Sequence, residues 1–173
     1  MDIAVAPDDA GVAVARLEPS GRLGAVQTLG WDEFASRVGE LECELPRWVW
    51  ADTSAVYPKL LRAGVGVRRA HDLRQCHTVL SRSRYVTDGL GSADDRRWRS
   101  DTVDLDHAEP SLLDLPADAG RFTVEEVARE YGRQQEAVAT SPYGGRLRLL
   151  LAAESAGALL AAELTHVGGC PST

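Results

Sequence analysis

Four residues able to bind metal or move protons, His71, Asp72, Cys76 and His77, fall within seven positions. On a helix, Asp72 and Cys76 stand at i and i+4 and share a face. A zinc centre needs four ligands at tighter, recurrent spacing. The set therefore reads first as a helix N-cap followed by a buried thiol. His166 and Cys170 are separated by glycines and make no better site. The chain has no Gly-x-Ser-x-Gly nucleophile turn and no glycine-rich phosphate loop ending in Lys-Ser or Lys-Thr. Gly64 with Gly66, and Gly89 with Gly91, are isolated pairs suited to turns or caps. Two-metal phosphoryl chemistry needs three or four acids converging on ions about 3.5–4 Å apart. On a strand such acids must alternate to reach one face. Asp8 and Asp9 are adjacent and follow Pro7 in a turn-like run, so they point apart. Asp52 directly follows the apolar run Trp48-Val49-Trp50-Ala51 and is better placed, although capping the next helix is its first role.

Charge gives the second lead. The whole chain carries 19 Lys and Arg against 26 Asp and Glu, a net −7. A tight, non-specific nucleic-acid binder normally carries the opposite sign. Between Lys59 and Arg99, however, ten bases face four acids, a local +6 that leaves −13 for the remainder. Arg62, Arg68, Arg69, Arg74, Arg82 and Arg84 are its phosphate-facing candidates. Internal pairing with the acid-rich 94–118 stretch is the competing use of the same charges.

These residues need elements to position them. Ile3 and Val5 alternate in a first strand. Val12-Ala13-Val14-Ala15-Arg16-Leu17 forms a second and Leu23 to Leu29 a third. Pro7-Asp8-Asp9-Ala10-Gly11 and Pro19-Ser20-Gly21 supply the turns of an antiparallel meander. Trp31, Phe34, Val38 and Leu41 recur at helical spacing. Trp48-Val49-Trp50-Ala51 reads as a strand buried on both faces. Asp52-Thr53-Ser54 then caps a helix with a Val56, Leu60, Leu61 stripe, stopped at Gly64. Val65-Gly66-Val67 is expected as a brief strand, and Asp72 opens a helix carrying Leu73, Cys76, Val79 and Leu80. Residues 83–120 are rich in acids and turn residues and read as a long, partly disordered loop. Thr123-Val124-Glu125-Glu126 is a capping box. Its helix runs through Val127, Tyr131 and Val138 to a break at Ser141-Pro142-Tyr143-Gly144-Gly145. A last helix, about Arg146 to His166, is so rich in Leu and Ala that it is expected to be mostly buried. Residues 168–173 form a tail.

At 173 residues, 44% hydrophobic and 26% charged, the chain has the composition of one globular domain, here 1–167. Disorder throughout, a collagen-like chain and a disulfide scaffold are excluded. The N-terminus lacks the basic and apolar regions of a secretory signal. Three widely spaced cysteines, Cys43, Cys76 and Cys170, fit reduced thiols. Arg148, Glu154 and Glu163 interrupt the most apolar stretch and argue against a membrane span. A cytoplasmic protein without a membrane partner is the expectation.

Two stretches carry a family resemblance. Pro46-Arg47-Trp48-Val49-Trp50-Ala51-Asp52-Thr53, continued by Tyr57-Pro58-Lys59-Leu60-Leu61-Arg62-Ala63-Gly64-Val65 and His71-Asp72-Leu73, is the first. The helical run from Leu149 to Leu164 is the second. Together they resemble the N-terminal part of bifunctional 3′-5′ exonuclease/DNA polymerase proteins of high-GC bacteria, family A enzymes similar to DNA polymerase I. The resemblance spans most of the chain outside the 83–120 loop. It implies an α/β fold, a ribonuclease H-like mixed sheet flanked by helices. It also implies a helix that joins the exonuclease-like domain to a polymerase domain. The family's first motif is Asp-x-Glu on strand one, where this chain has only Pro7-Asp8-Asp9-Ala10. For the second motif Asp52 is nearest, but matching Gly64 to the family's glycine puts Val56 there. The third motif is Tyr-x-x-x-Asp on the last helix, and Leu151 and Ser155 hold those places. Asp72 matches a structural aspartate.

A catalytically degenerate exonuclease-like domain is therefore expected. Asp52, Asp8 and Asp9 are its vestigial catalytic candidates, with no metal ligands and no cofactor. Its role would be structural or weakly DNA-contacting. Its partners would be DNA, a polymerase domain or another protein, with no polymerase domain in the chain, which ends at Thr173. Two alternatives stand beside it. One is an active exonuclease using Mg²⁺ or Mn²⁺ on Asp8, Asp9, Asp52 and Asp72. The other is a stand-alone adaptor binding a protein through the 94–118 loop.

Overall fold

Ile3, Ala4, Val5 and Ala6 are all buried, so both faces of the first strand, β1 (Asp2–Pro7), are covered. Continuous burial marks a central strand, where the alternation of Ile3 and Val5 alone indicates a half-exposed one. The computed structural model describes residues 1–9, 11–18, 22–86, 90, 97–99 and 122–168. Most of the 83–120 loop and the 168–173 tail lie outside these. β2 (Val12–Leu17) pairs antiparallel with β1, and β3 (Gln27–Leu29) antiparallel with β2. The third strand is shorter than the Leu23–Leu29 expectation. Leu23 makes only an isolated bridge to Leu17, and the exposed Ala25 and Val26 that follow Gly24 lie outside the ladder, which begins at Gln27.

The β1–β2 turn is fixed by Asp8, whose Oδ1 accepts the Gly11 N–H at 2.8 Å. Gly11 has φ +153, and a Cβ there would run into the Leu29 carbonyl. Gly11→Ala must push β2 off β3. It is expected to cost roughly 2 kcal/mol, seen as a lower urea midpoint at unchanged slope. An unchanged midpoint would show that the turn relaxes freely.

β4 (Arg47–Trp50) runs parallel to β1, and β5 (Ala70–Asp72) parallel to β4. The sheet order is β3-β2-β1-β4-β5. The brief strand therefore falls at Ala70–Asp72 and not at Val65–Val67. Val65 spends its N–H on the Leu60 carbonyl (2.9 Å), completing the end of α2 (Thr53–Arg62). The Val67 N–H faces the Tyr57 hydroxyl. Neither group is left for a ladder. Gly64 supplies the positive φ of +76 at this helix end.

α1 (Trp31–Leu41) and α2 cover the face bearing Ile3, Val5, Trp48 and Trp50. The other face, Ala4, Ala6, Val49 and Ala51, lies under α4 (Val124–Thr140) with Trp98 and Phe122, whose rings stack at 4.0 Å. α4 starts at the expected capping box, Thr123 with Glu126. A third apolar cluster joins α3 (Leu73–Arg82), α4 and α5 (Gly144–Gly168). The fold is thus α/β, a mixed five-stranded sheet flanked by helices.

The last helix departs from expectation. Only Gly144, Leu147, Leu151, Ser155 and Leu159 of α5 are buried. α5 lies along the open edge of β5, where the Ser155 hydroxyl accepts the Asp72 N–H at 3.1 Å. A helix beside a sheet edge buries one stripe, and this arrangement shields the strand from further pairing.

Candidate functional site

The carboxyl ends of parallel strands are where open α/β sheets hold ligands. Here they border a groove of about 610 Å³ lined by Asp52, Thr53, Arg62, Asp72, Ala161 and His166. A smaller cavity of about 120 Å³ lies beyond Asp52, between Ala6, Val56, Arg74 and Phe122.

Each acid at this edge has a structural partner. Asp52 caps α2: its Oδ1 accepts the Ser54 N–H (2.8 Å) and hydroxyl (2.6 Å). Its Oδ2 faces Arg74 Nη1 at 3.1 Å. Asp72 is 1% exposed. Its Oδ2 accepts the Thr53 N–H at 2.7 Å and its Oδ1 the Gln75 N–H at 3.0 Å. One carboxylate thus ties the first turns of α2 and α3 together. Burial pushes it above the usual carboxylate range, against the pull of those hydrogen bonds. Asp8 is engaged in its turn with Gly11, and Asp9 is exposed beside it. Asp8 leaves the sheet at the same end as Asp52, because β1 and β4 are parallel. Among the described residues no three His, Cys, Asp or Glu side chains are grouped to hold a metal ion.

The set His71, Asp72, Cys76 and His77 is divided. Asp72 and His71 alternate on β5 and face opposite layers. His71 Nε2 donates to Gln134 Oε1 at 2.9 Å. The amide of Gln134 donates to the Leu73 carbonyl (2.9 Å) and to Glu130 Oε1 (2.8 Å). Glu130 also faces His77 Nδ1 at 2.9 Å and Arg133 at 3.0 Å. This buried polar chain fastens β5 and α3 to α4. Cys76 is buried, 4.0 Å from His71 Nδ1 and 3.5 Å from Ser155 Oγ. Burial pushes its thiol up to about 12, so it supplies no thiolate nucleophile. The reading of Asp72 as an N-cap and Cys76 as a buried thiol matches this geometry.

The six arginines occupy three places. Arg62 lies in the groove and Arg74 at its end, against Asp52. Arg68 and Arg69 precede β5 at the opposite end of the sheet. There the Arg68 N–H meets Glu42, and the Arg69 guanidinium meets the Leu45 carbonyl. Arg82 ends α3. Arg84 stands 4.9 Å over the Tyr85 ring.

Sequence reasoning missed Ser155 as a clasp and Glu130 and Gln134 as core residues. A signal for the last two existed. Val127, Glu130, Tyr131, Gln134 and Val138 fall on one helical face, so two polar residues sat on an apolar stripe.

No family model, curated protein or solved structure matches this chain. None of the described helices is long and apolar enough to cross a membrane.

Proposed function

We propose that the chain is a catalytically degenerate 3′-5′ exonuclease-like domain of ribonuclease H-like fold, with a structural and weakly DNA-contacting role. The observation that carries this reading is the sheet. It has three antiparallel strands followed by two strands parallel to the first, in the order β3-β2-β1-β4-β5. Such a mixed sheet flanked by helices is compatible with the ribonuclease H-like fold that the resemblance implies.

Support for lost catalysis comes from the places where acids would be needed. An Asp-x-Glu pair must occupy alternate positions of β1. Its inward pairs are Ile3 with Val5 and Ala4 with Ala6, all buried. Val56 is 1% exposed within the apolar core. Leu151 is buried, and the Ser155 hydroxyl is spent on the Leu151 carbonyl (2.9 Å) and the Asp72 N–H. Asp52 is balanced by Arg74. Such a set lacks the convergent oxygens that two divalent ions require.

Contact with DNA would rest on Arg62, Arg68, Arg69, Arg74, Arg82 and Arg84. In a chain of net charge −7 it is weak and salt-sensitive. The test incubates pure protein with end-labelled single-stranded DNA and Mn²⁺, with anisotropy of the same DNA followed against salt. The expected result is no shortening and binding that fades as salt rises. Mn²⁺-dependent shortening abolished by Asp52→Ala would overturn the reading in favour of an active exonuclease.

A further inference from the structure

Two tyrosines that belong to none of the three apolar clusters stand together on the surface. Tyr85 is 37% exposed and Tyr143 42%. Their ring centroids are 4.4 Å apart, with the planes inclined at 51°. Each ring carries a guanidinium. Arg84 lies 4.9 Å from the Tyr85 centroid and Arg146 5.9 Å from that of Tyr143. Arg84 Nη2 also donates to the Tyr85 hydroxyl at 2.7 Å.

Two separate turns hold the pair. In the turn after α3, the Val86 N–H bonds the Ser83 carbonyl (3.2 Å) and the Tyr85 N–H the Ser83 hydroxyl (3.3 Å). In the turn before α5, the Gly144 N–H bonds the Ser141 carbonyl at 3.1 Å. A Cβ on Gly144 would run into the Val138 carbonyl. Ser141 clips the two turns together across 56 positions of chain. Its hydroxyl donates to the Tyr85 carbonyl (2.8 Å) and accepts the Tyr143 N–H (3.2 Å). The rings are thus placed in advance, which lowers the ordering cost of binding.

The surrounding charge has one sign. Residues 82–86 and 141–148 hold four arginines, Arg82, Arg84, Arg146 and Arg148, and no acid. All four are exposed, and none is paired with a carboxylate of the described residues. This is a local +4 in a chain of net −7.

Aromatic faces beside unpaired guanidinium groups select a ligand that carries both flat rings and negative charges. An acidic peptide supplies the charges without the rings. A duplex keeps its rings inside its own stack. Single-stranded nucleic acid supplies both, because its bases stack on tyrosine rings or guanidinium planes while its phosphates meet the arginines.

We propose that Tyr85 and Tyr143, with Arg84 and Arg146, form a stacking platform for single-stranded nucleic acid. The platform lies apart from the groove. Tyr143 precedes α5, whose other end lines the groove with Ala161 and His166. The proposal rests on the DNA-contacting part of the function proposed above and is independent of the acids at the carboxyl edge of the sheet.

Fluorescence anisotropy at about 20 mM salt compares a labelled strand of about 12 thymidylates with an abasic strand of equal length. The full chain is expected to bind the thymidylate strand roughly tenfold more tightly than the abasic one. Tyr143→Ala is expected to abolish that preference, and Tyr143→Phe, which keeps the ring, to retain it. Binding of the abasic strand by Tyr143→Ala shows that the variant is folded. Arg146→Gln is expected to weaken both probes and to reduce the salt slope by about one. Equal binding of the two probes by the wild type, or a preference that survives Tyr143→Ala, overturns the proposal. Displacement of the thymidylate strand by an equimolar acidic peptide overturns it in favour of a protein partner. A loss on Arg62→Gln, with Tyr143→Ala and Arg146→Gln at the wild-type value, overturns this platform and leaves the contact proposed above in place. Mn²⁺-dependent shortening overturns the degenerate reading and leaves the platform untouched.

Discussion

Asp72→Ala is expected to cost roughly 3–5 kcal/mol of folding stability, read as a large fall in urea midpoint. The reason is the number of elements that meet at one carboxylate. Asp72 takes the Thr53 N–H from α2 and the Gln75 N–H from its own helix, with 1% of its surface exposed. Removing the side chain leaves one buried and one partly buried amide proton without an acceptor. A charged acceptor for buried N–H groups contributes about 1.5–3 kcal/mol per bond, and the lost helix cap about 1 kcal/mol. Asp72→Asn separates shape from acceptor capacity. It keeps one oxygen but turns an NH₂ group toward an N–H, so about half the loss should remain. A loss below about 1 kcal/mol for the alanine variant would show that α2 and α3 do not depend on this clasp.

The second large effect concerns pH. Burial holds the His71 imidazole at about 4, down from the ordinary 6.5, with partial relief from the hydrogen bond to Gln134. In the unfolded chain the ring takes up its proton near pH 6.5. Between those values the unfolded chain binds more protons than the folded one. Stability therefore falls as pH drops from 6.5 to about 4. The slope is about 1.4 kcal/mol per pH unit, or roughly 3 kcal/mol over the window. Above pH 6.5 this contribution is constant.

Asp72 tilts the other way. Its raised carboxyl keeps a proton in the fold after the unfolded chain has lost it, so its contribution weakens as pH rises from the ordinary carboxylate range toward that raised value. The two are separated by difference. The stability of the wild type minus that of His71→Gln should narrow by roughly 3 kcal/mol across the window. The His71 ring signals in NMR should show no titration near pH 6.5. Parallel pH profiles for the two proteins would contradict the buried, neutral assignment.

Much of the fold was legible because its signals are local. The turn after Pro7 marked the first hairpin of the meander, the Pro19-Ser20-Gly21 turn lying outside the described residues, and four consecutive apolar residues at Trp48–Ala51 marked a strand with two covered faces. Asp52, Asp72 and the Thr123–Glu126 box announced their helices through caps. What stayed hidden depends on tertiary placement. β5 consists of Ala-His-Asp, residues with no strand preference. They are held in the sheet because Asp72 clasps two helices and Ser155 covers the edge. Val65 and Val67 look like a better strand, yet the end of α2 and Tyr57 occupy their N–H groups. Glu130 and Gln134 stand on the apolar stripe of α4, but their partners His77 and His71 come from α3 and β5, far away in sequence. α5 reads as buried because it is so rich in Leu and Ala, yet the fold covers only one stripe of it.

The candidate site follows the same division. Asp52 could be placed at the carboxyl edge of the sheet from sequence, because it follows the buried strand. Its balancing partner Arg74 could not, since 22 positions separate them. The six arginines form one segment in sequence but three surfaces in space.

The proposed loss of catalysis requires that this sheet edge hold no pair of divalent ions. Anomalous diffraction from crystals soaked in Mn²⁺ measures that directly. No pair of ions bridged by side chains of the chain is expected at the carboxyl ends of β1 and β4. Two manganese ions held there by three or more aspartates or glutamates would contradict the account.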